Sequence, residues 1–339
     1  MLGPTFRQHV TVANFLVTYR QRAAAVQRRT IHFPTVKNAN ILMQSYITKG
    51  AATKHNISRI CWRMYRDRVS PDRITYNIML TAAARRNDFT DVDRLLAQMT
   101  SNKILPDAQS YNSILAHFAN VGDINSCEIW FDKMKEVNID PNLVSYNTLI
   151  NACAKSDIAS DNIDRARFWH DTLIASSSKD VSLEPNSVTL NCMIDSLSKQ
   201  DPCAAAVLLN QDEVEKIRNV RSYNIVIAAF ARQGDAPCCL TYFTKLRKSG
   251  LSPDSFSINS LIYAFVQRSD VVAAERWLLR AENDSLANTH TYGLVIHAFA
   301  KIGNIDSAIK VFDRMLSFEI HPDVFIFSSL ITACAVIQD

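Results

Sequence analysis

The sequence is poor in glycine, with seven residues in 339, and period-two alternation of apolar and polar residues is scarce. Together these absences favour helix over strand. Long apolar runs are missing too. Stretches such as Ile225–Ala231 reach only seven residues, far short of the ~20 needed to cross a bilayer, so no membrane partner is expected. Negative charge is absent from one end: no Asp or Glu precedes Asp67, while residues 1–66 carry eleven Lys or Arg. The rest of the chain holds 26 basic and 33 acidic side chains, a net of −7, against +4 overall. The excess of positive charge therefore belongs to the N-terminal stretch.

Motifs that carry chemistry are missing as well. The chain contains no GxGxxG, P-loop, HExxH or GxSxG, and no H-x-E…C-x-x-C deaminase signature. Its eight cysteines form no CxxC pair and no His/Cys cluster with zinc spacing. No catalytic residue, cofactor or metal is expected, and the chain reads as a non-enzyme. Cys127 and Cys239 fall at one phase of the repeat described below, and Cys153 and Cys334 at another; both phases are small core-facing slots suited to reduced thiols.

What is present is a repeated unit, most legible over Ala108–Asn142. Tyr111, Ile114, Leu115 and Phe118 fall on one face of a helix expected over about Ser110–Asn120. Gly122-Asp123 breaks that helix. A second helix carries Ile124, Cys127, Trp130, Phe131 and Met134 on one stripe, and Asp140-Pro141-Asn142 ends it. Isolated helices this short are marginal in water, so copies must stack. Tyr-Asn recurs at 76-77, 111-112, 146-147 and 223-224, and Pro71, Pro106, Pro141, Pro185, Pro253 and Pro322 recur near unit ends. These marks divide residues 36–339 into units 36–72, 73–107, 108–142, 143–186, 187–219, 220–254, 255–288 and 289–323, and a half unit 324–339. The fourth unit has extra length around Ile158–Asn162 and Ser176–Ser182, expected as loops. Residues 1–35, with Arg7, Arg20, Arg22, Arg28 and Arg29 and no acid, have the composition of a mitochondrial transit peptide, with a basic cap on the array as the other reading.

Phrases such as VSYNTLINACAK (144–155) and GNIDSAIKVFDRMLSFEIHPD (303–323) resemble the pentatricopeptide repeat family, over roughly residues 36–339. The tetratricopeptide repeat has a similar length but a W-x2-L-G-x2-Y opening that these units do not show. The resemblance implies an all-α fold, a right-handed α-solenoid of about eight and a half helix-turn-helix units. It further implies one RNA base read per repeat, by the fifth and last residues. Carried over, the pairs are Asn40 with Asp72, Asn77 with Asp107, Asn112 with Asn142, Asn147 with Asn186, Asn191 with Asn219, Asn224 with Asp254, and Asn259 with Asn288. The eighth repeat pairs Gly293 with Asp323 and is expected to be silent.

The chemistry suits a pyrimidine-rich single strand. A carboxylate only accepts and meets the N3–H of uracil, whereas an amide can donate to the bare N3 of cytosine. The array then favours 5′-U-U-C-C-C-U-C-N-3′. Second residues are expected to flank the bases: Ile74, Val144, Val188 and Phe256 fit, whereas Lys37, Gln109, Arg221 and His290 depart from the aliphatic pattern. At position thirteen, Arg85, Lys155, Lys199, Arg232 and Lys301 lie about three turns further along the same face, placed to meet phosphates. Trp130, Trp169 and Trp277 fall in second helices and are expected to pack, as are Tyr76, Tyr111, Tyr146, Tyr223 and Tyr292.

The resulting expectation is an organellar RNA-binding protein, mitochondrial or alternatively plastid, acting in RNA stability, processing or translation with single-stranded RNA and RNA-processing proteins as partners. The alternatives are a scaffold in an organellar ribosome and the recognition arm of an enzyme whose catalytic domain lies outside this chain.

Overall fold

The structure, a computed structural model, describes residues 35–156 and 162–336. They hold seventeen α-helices and no strand. The chain forms two compact bodies, divided between Ile104 and Leu105. All but the last residue of the expected leader (residues 1–35) and most of the Ile158–Asn162 insertion lie outside the described residues.

The first body contains α1 (Val36–Thr48), α2 (Lys54–Arg66), α3 (Arg73–Arg85) and α4 (Phe89–Ser101). Here α1 packs on both α2 and α3, around a core of Ala39, Met43, Ile47, Ile57, Ile60 and Met64. The second body runs α5 (Ala108–Val121), α6 (Ile124–Glu136), α7 (Leu143–Lys155), α8 (Asn162–Ser177), α9 (Ser187–Ser198), α10 (Pro202–Asn210), α11 (Val220–Arg232), α12 (Ala236–Lys248), α13 (Ser255–Gln267), α14 (Val271–Asn283), α15 (Thr289–Lys301), α16 (Ile305–Ser317) and α17 (Val324–Val336). In that body each odd-numbered helix packs on the next odd-numbered helix. Each even-numbered helix wedges between its own partner and the following one. Two layers result, first helices on one side and second helices on the other.

Both helix ends are fixed by local chemistry. At the start of α3, α5, α7, α9, α11, α13 and α15 an Asp or Asn accepts from the backbone N–H three residues on, and a Ser or Thr there returns a bond to the cap's own N–H. This reciprocal cap satisfies two orphan donors of the first turn. Second helices are capped by Asp88, Asp123, Asp201, Asp235, Asp270 and Asn304. Beyond the helix ends the chain turns through left-handed residues, as at Gly122 (φ 80°) and Asn138 (φ 56°). The backbone around Gly122 is crowded: a Cβ there would lie 2.6 Å from the carbonyl oxygen of Lys155. Glycine is scarce because seven of these left-handed positions are filled by other residues, including Arg68, Lys103 and Glu319.

The aromatic residues pack between layers. Phe131 is fully buried and meets Tyr146 at 5.2 Å and Trp169 at 5.0 Å edge to face, while Phe243 meets Trp277 at 5.2 Å. Trp130 and the five tyrosines that precede position five are buried. Burial pushes the thiols of Cys153 and Cys239 up to about 12, which keeps them inert. Cys334 departs from its expected core slot: it is exposed on α17, the last described helix. The Ser176–Ser182 insertion also differs from a plain loop, since α8 runs on through Ser177 and a 3-10 turn follows at Val181–Leu183. In the next unit α10 stops after nine residues, and a 3-10 segment, Asp212–Ile217, replaces its last turns.

Candidate nucleic-acid interface

The seven asparagines at position five are the fifth residues of α1, α3, α5, α7, α9, α11 and α13, where each is between 5% and 9% exposed. Six of them share one visible arrangement. The Asn Oδ1 accepts from the hydroxyl at the third position of the next first helix: Thr75 on Asn40 at 2.8 Å, Ser145 on Asn112 at 2.7 Å, Thr189 on Asn147 at 2.7 Å, Ser222 on Asn191 at 2.6 Å, Ser257 on Asn224 at 2.5 Å and Thr291 on Asn259 at 2.7 Å. Those hydroxyl residues are fully buried. With Oδ1 engaged, the polarity of the amide is fixed, and in five of the six Nδ2 is turned toward the cap residue.

The residue at the end of each repeat is the N-cap of the next first helix. Nδ2 of Asn40 donates to Oδ1 of Asp72 at 3.1 Å, and Asn112 to Oδ1 of Asn142 at 3.1 Å. Asn224 reaches both oxygens of Asp254, at 3.0 and 3.1 Å. Asn191 and Asn259 make longer versions to Asn219 and Asn288, at 3.5 and 3.4 Å. Asn142, Asn186, Asn219 and Asn288 all spend Oδ1 on capping, which leaves the amide nitrogen as the outer atom. In Asp72 the outer atom is instead Oδ2, a pure acceptor. Burial works to raise the Asp72 carboxyl, but hydrogen bonds from Thr75 and Asn40 outweigh it and hold the group below its ordinary value. It is therefore an anion at neutral pH.

Ile74, Val144, Val188 and Phe256 are between 52% and 58% exposed on first helices. Between α7, α9 and α11 an open cleft of about 480 Å³ is lined by Val144, Asn147, Asn186, Val188, Asn191 and Arg221. A second, of about 260 Å³, gathers Arg232, Phe256, Asn259 and His290 from α11, α13 and α15. Residues predicted as readers, flanks and a phosphate contact thus meet on one surface.

The five position-thirteen cations are all exposed. Two also bind within the protein: Arg85 donates from Nη1 to the carbonyl of Ile47 at 2.9 Å, and Lys155 from Nζ to Asn120 Oδ1 at 2.7 Å. Lys155 keeps two further donors. Among the described residues no His, Cys, Asp and Glu come together as a metal site, and no helix is long and apolar enough to cross a membrane.

The eighth repeat differs as a unit. Gly293 replaces the asparagine, and the third residue of the next helix is Ile326, fully buried, instead of Ser or Thr. A Cβ on Gly293 would meet Phe325 at 3.4 Å and Ile326 at 3.6 Å. Both halves of the buried hydrogen bond are gone together. The Ser/Thr partners are not singled out in the sequence by the repeat's reading positions, although the spacing Asp/Asn-x-x-Ser/Thr at the start of the second to eighth units carries their signal.

Stacked helical hairpins joined through shared caps make this an α-solenoid. Sequence profiles of the PPR repeat family match residues 71–120, 106–155 and 287–336, and those of the pentatricopeptide repeat domain match 26–86 and 209–268. The chain belongs to the pentatricopeptide repeat family. It is similar to a pentatricopeptide repeat-containing protein of Arabidopsis thaliana, 21% identical over 136 residues, 39% of this chain and 24% of that one. A chloroplastic relative from the same plant is 26% identical over 120 residues (35% and 23%), and a mitochondrial one 27% over 123 residues (36% and 18%). The chain thus spans about a quarter or less of these relatives' length. Its fold is similar to the crystal structure of the pentatricopeptide repeat protein PPR10 in complex with an 18-nt psaJ RNA element, with a TM-score of 0.59 and 20% identity over 95% of this chain and 50% of that one. PPR10 from maize gives 0.51 and 17%, over 97% and 54%.

Proposed function

We propose that this protein is an organellar, sequence-selective binder of single-stranded RNA that acts in RNA stability, processing or translation and performs no reaction of its own. The observation that carries the reading is the row of oriented asparagines, each beside a cap residue whose outer atom is either a carboxylate oxygen or an amide nitrogen. An outward carboxylate oxygen accepts from the N3–H of uracil, while an outward amide donates to N3 of cytosine. The caps therefore favour U at Asp72, Asp107 and Asp254, and C at Asn142, Asn186, Asn219 and Asn288. Exposed apolar residues at position two flank the bases, and the position-thirteen cations meet the phosphates. The RNA-bound neighbour and the acid-free residues 1–35 support an organellar RNA role, with the mitochondrion as the preferred site.

Filter binding tests it. An oligomer containing UUCCCUC should bind more tightly than a purine oligomer of equal length, and equal affinity for both refutes base reading. A purely structural role predicts instead that replacing Asn77, Asn112 and Asn147 by alanine leaves assembly into any larger complex unchanged.

A further inference from the structure

The first body carries a second charged surface, away from the first-helix face. Helix α2 buries Ile57, Ile60 and Met64 against the core. Away from that core run Arg59, Arg63 and Arg66 at i, i+4 and i+7, one stripe of a helix, the first two half-buried and Arg66 exposed. The helix contains no acid. Beside the stripe stands Trp62, 36% exposed, at i+3 from Arg59 and i−4 from Arg66, while Tyr65, 67% exposed, lies on the other flank of the helix. The Arg66 guanidinium lies 5.7 Å from the centre of the Trp62 ring.

The positive charge here is only partly answered. Arg66 uses Nε on Asp67 at 2.8 Å, and its side chain is 38% exposed. Arg59 donates to the Tyr46 hydroxyl at 3.3 Å, and its Nε is buried with no partner. Arg63 forms no ion pair; burial, then repulsion from Arg59 and Arg66, lowers its proton affinity. Three guanidiniums answered by a single acid, Asp67, leave positive charge to be met by an external anion. The exposed aromatic rings narrow the choice. A membrane-surface helix needs a free apolar face to immerse, and α2 has spent that face on the core. A flexible polyanion with π-faces between its charges, a single-stranded nucleic acid, meets both features.

We propose that the outer face of α2 binds single-stranded RNA lying 5′ of the segment read by the repeats, with Arg63 and Arg66 on phosphates and Trp62 stacked on a base. The grip is independent of sequence. It rests on the groove reading only for which end of the strand arrives here.

The test uses the full chain and three oligomers: the UUCCCUC core, the core with an arbitrary-sequence 5′ extension, and the core with the same extension placed 3′. The 5′ extension should tighten binding about fivefold or more, from one stacked base and two phosphates, whereas the 3′ extension should not. R63Q/R66Q and, separately, Trp62→Leu should each reduce that gain while leaving affinity for the bare core unchanged. The salt slope of the 5′-extended complex should flatten by about 1.4 in R63Q/R66Q, two contacts at roughly 0.7 each. Equal affinity of wild type for the core and its 5′ extension overturns the proposal. So does binding to phosphatidylserine vesicles that depends on Arg63 and Arg66 in the absence of any extension gain. If the bare core fails to bind but an extended oligomer binds in a way that R63Q/R66Q abolishes, the groove reading falls and this one stands.

Discussion

Replacing Ser145 by alanine tests the junction between repeats directly. Ser145 is fully buried. Its hydroxyl donates to Asn112 Oδ1 at 2.7 Å and accepts from the Asn142 N–H at 3.2 Å. Removing it strands one acceptor and one donor. A net hydrogen bond is worth about 1 kcal/mol, and a stranded buried group costs roughly 1–3 kcal/mol. Alanine's better helix propensity returns about 0.5 kcal/mol. The expected loss is about 2–3 kcal/mol, read by urea unfolding. It should remain local, because repeat arrays couple chiefly through nearest neighbours, so hydrogen exchange should quicken at the start of α7 and not at α13. The same change frees the Asn112 amide to turn, so discrimination between C and U at the third base should fall toward unity. Ser113→Ala is the control, since that hydroxyl bonds only to Gln109 in its own helix, and it should cost under about 0.5 kcal/mol. A Ser145→Ala protein that matches wild type in both stability and third-base choice refutes the reasoning.

Gly293→Asn alone should destabilise α15–α17 by about 1–3 kcal/mol, because its amide oxygen would face Ile326 with no donor. Adding Ile326→Ser should restore stability and create a base preference in the eighth repeat, checked by unfolding and by oligomers varied at that base. Asp72→Asn should shift the first base from U toward C in competition binding. Because the folded carboxyl of Asp72 is lowered, and that of Asp88 is held at about 2 by Lys54 and its cap bonds, their contribution is fully present above the ordinary value of 3.8 and lost as pH falls through the lowered ones. Circular dichroism should thus show a flat plateau down to about pH 5 and acid loss below about pH 4. Gly122→Ala meets both a left-handed φ and the Lys155 carbonyl, whereas Gly250, at φ 78°, has open space. The first should cost at least about 2 kcal/mol and the second about 1 kcal/mol by urea unfolding.

The helical hairpins were legible because Tyr111, Ile114 and Leu115, or Trp130, Phe131 and Met134, recur with a helical period that only stacking can satisfy. The Tyr-Asn and Pro marks showed where each copy begins. What was not legible was the direction in which each asparagine points. That depends on a hydroxyl from a helix about 30 to 40 residues away, such as Ser145 for Asn112, and no single unit contains both partners. The same limit hid the meaning of Gly293. Taken alone it is a missing side chain; beside Ile326 it is half of a coordinated exchange. Position thirteen marks Arg85 only as a phosphate contact, yet its bond to the Ile47 carbonyl shows that it also ties off the end of α1. The local extension of α8 and the shortening of α10 were visible only as irregular unit lengths, because the choice between loop and 3-10 turn is made by neighbouring packing.

The last residue of a repeat begins a helix before it does anything else. Few side chains can do this well: Asn, Asp, Ser and Thr, with glycine tolerated, and a poor choice costs about 1 kcal/mol. Any variation in what that residue recognises is confined to this short vocabulary, of which the present chain uses two words, Asp and Asn. Exchanging one for the other keeps the helix start while changing the atom shown to the outside. A re-targeted array can therefore be rewritten at these positions between two spellings at little structural cost, whereas a third spelling would have to rebuild the joint it sits in.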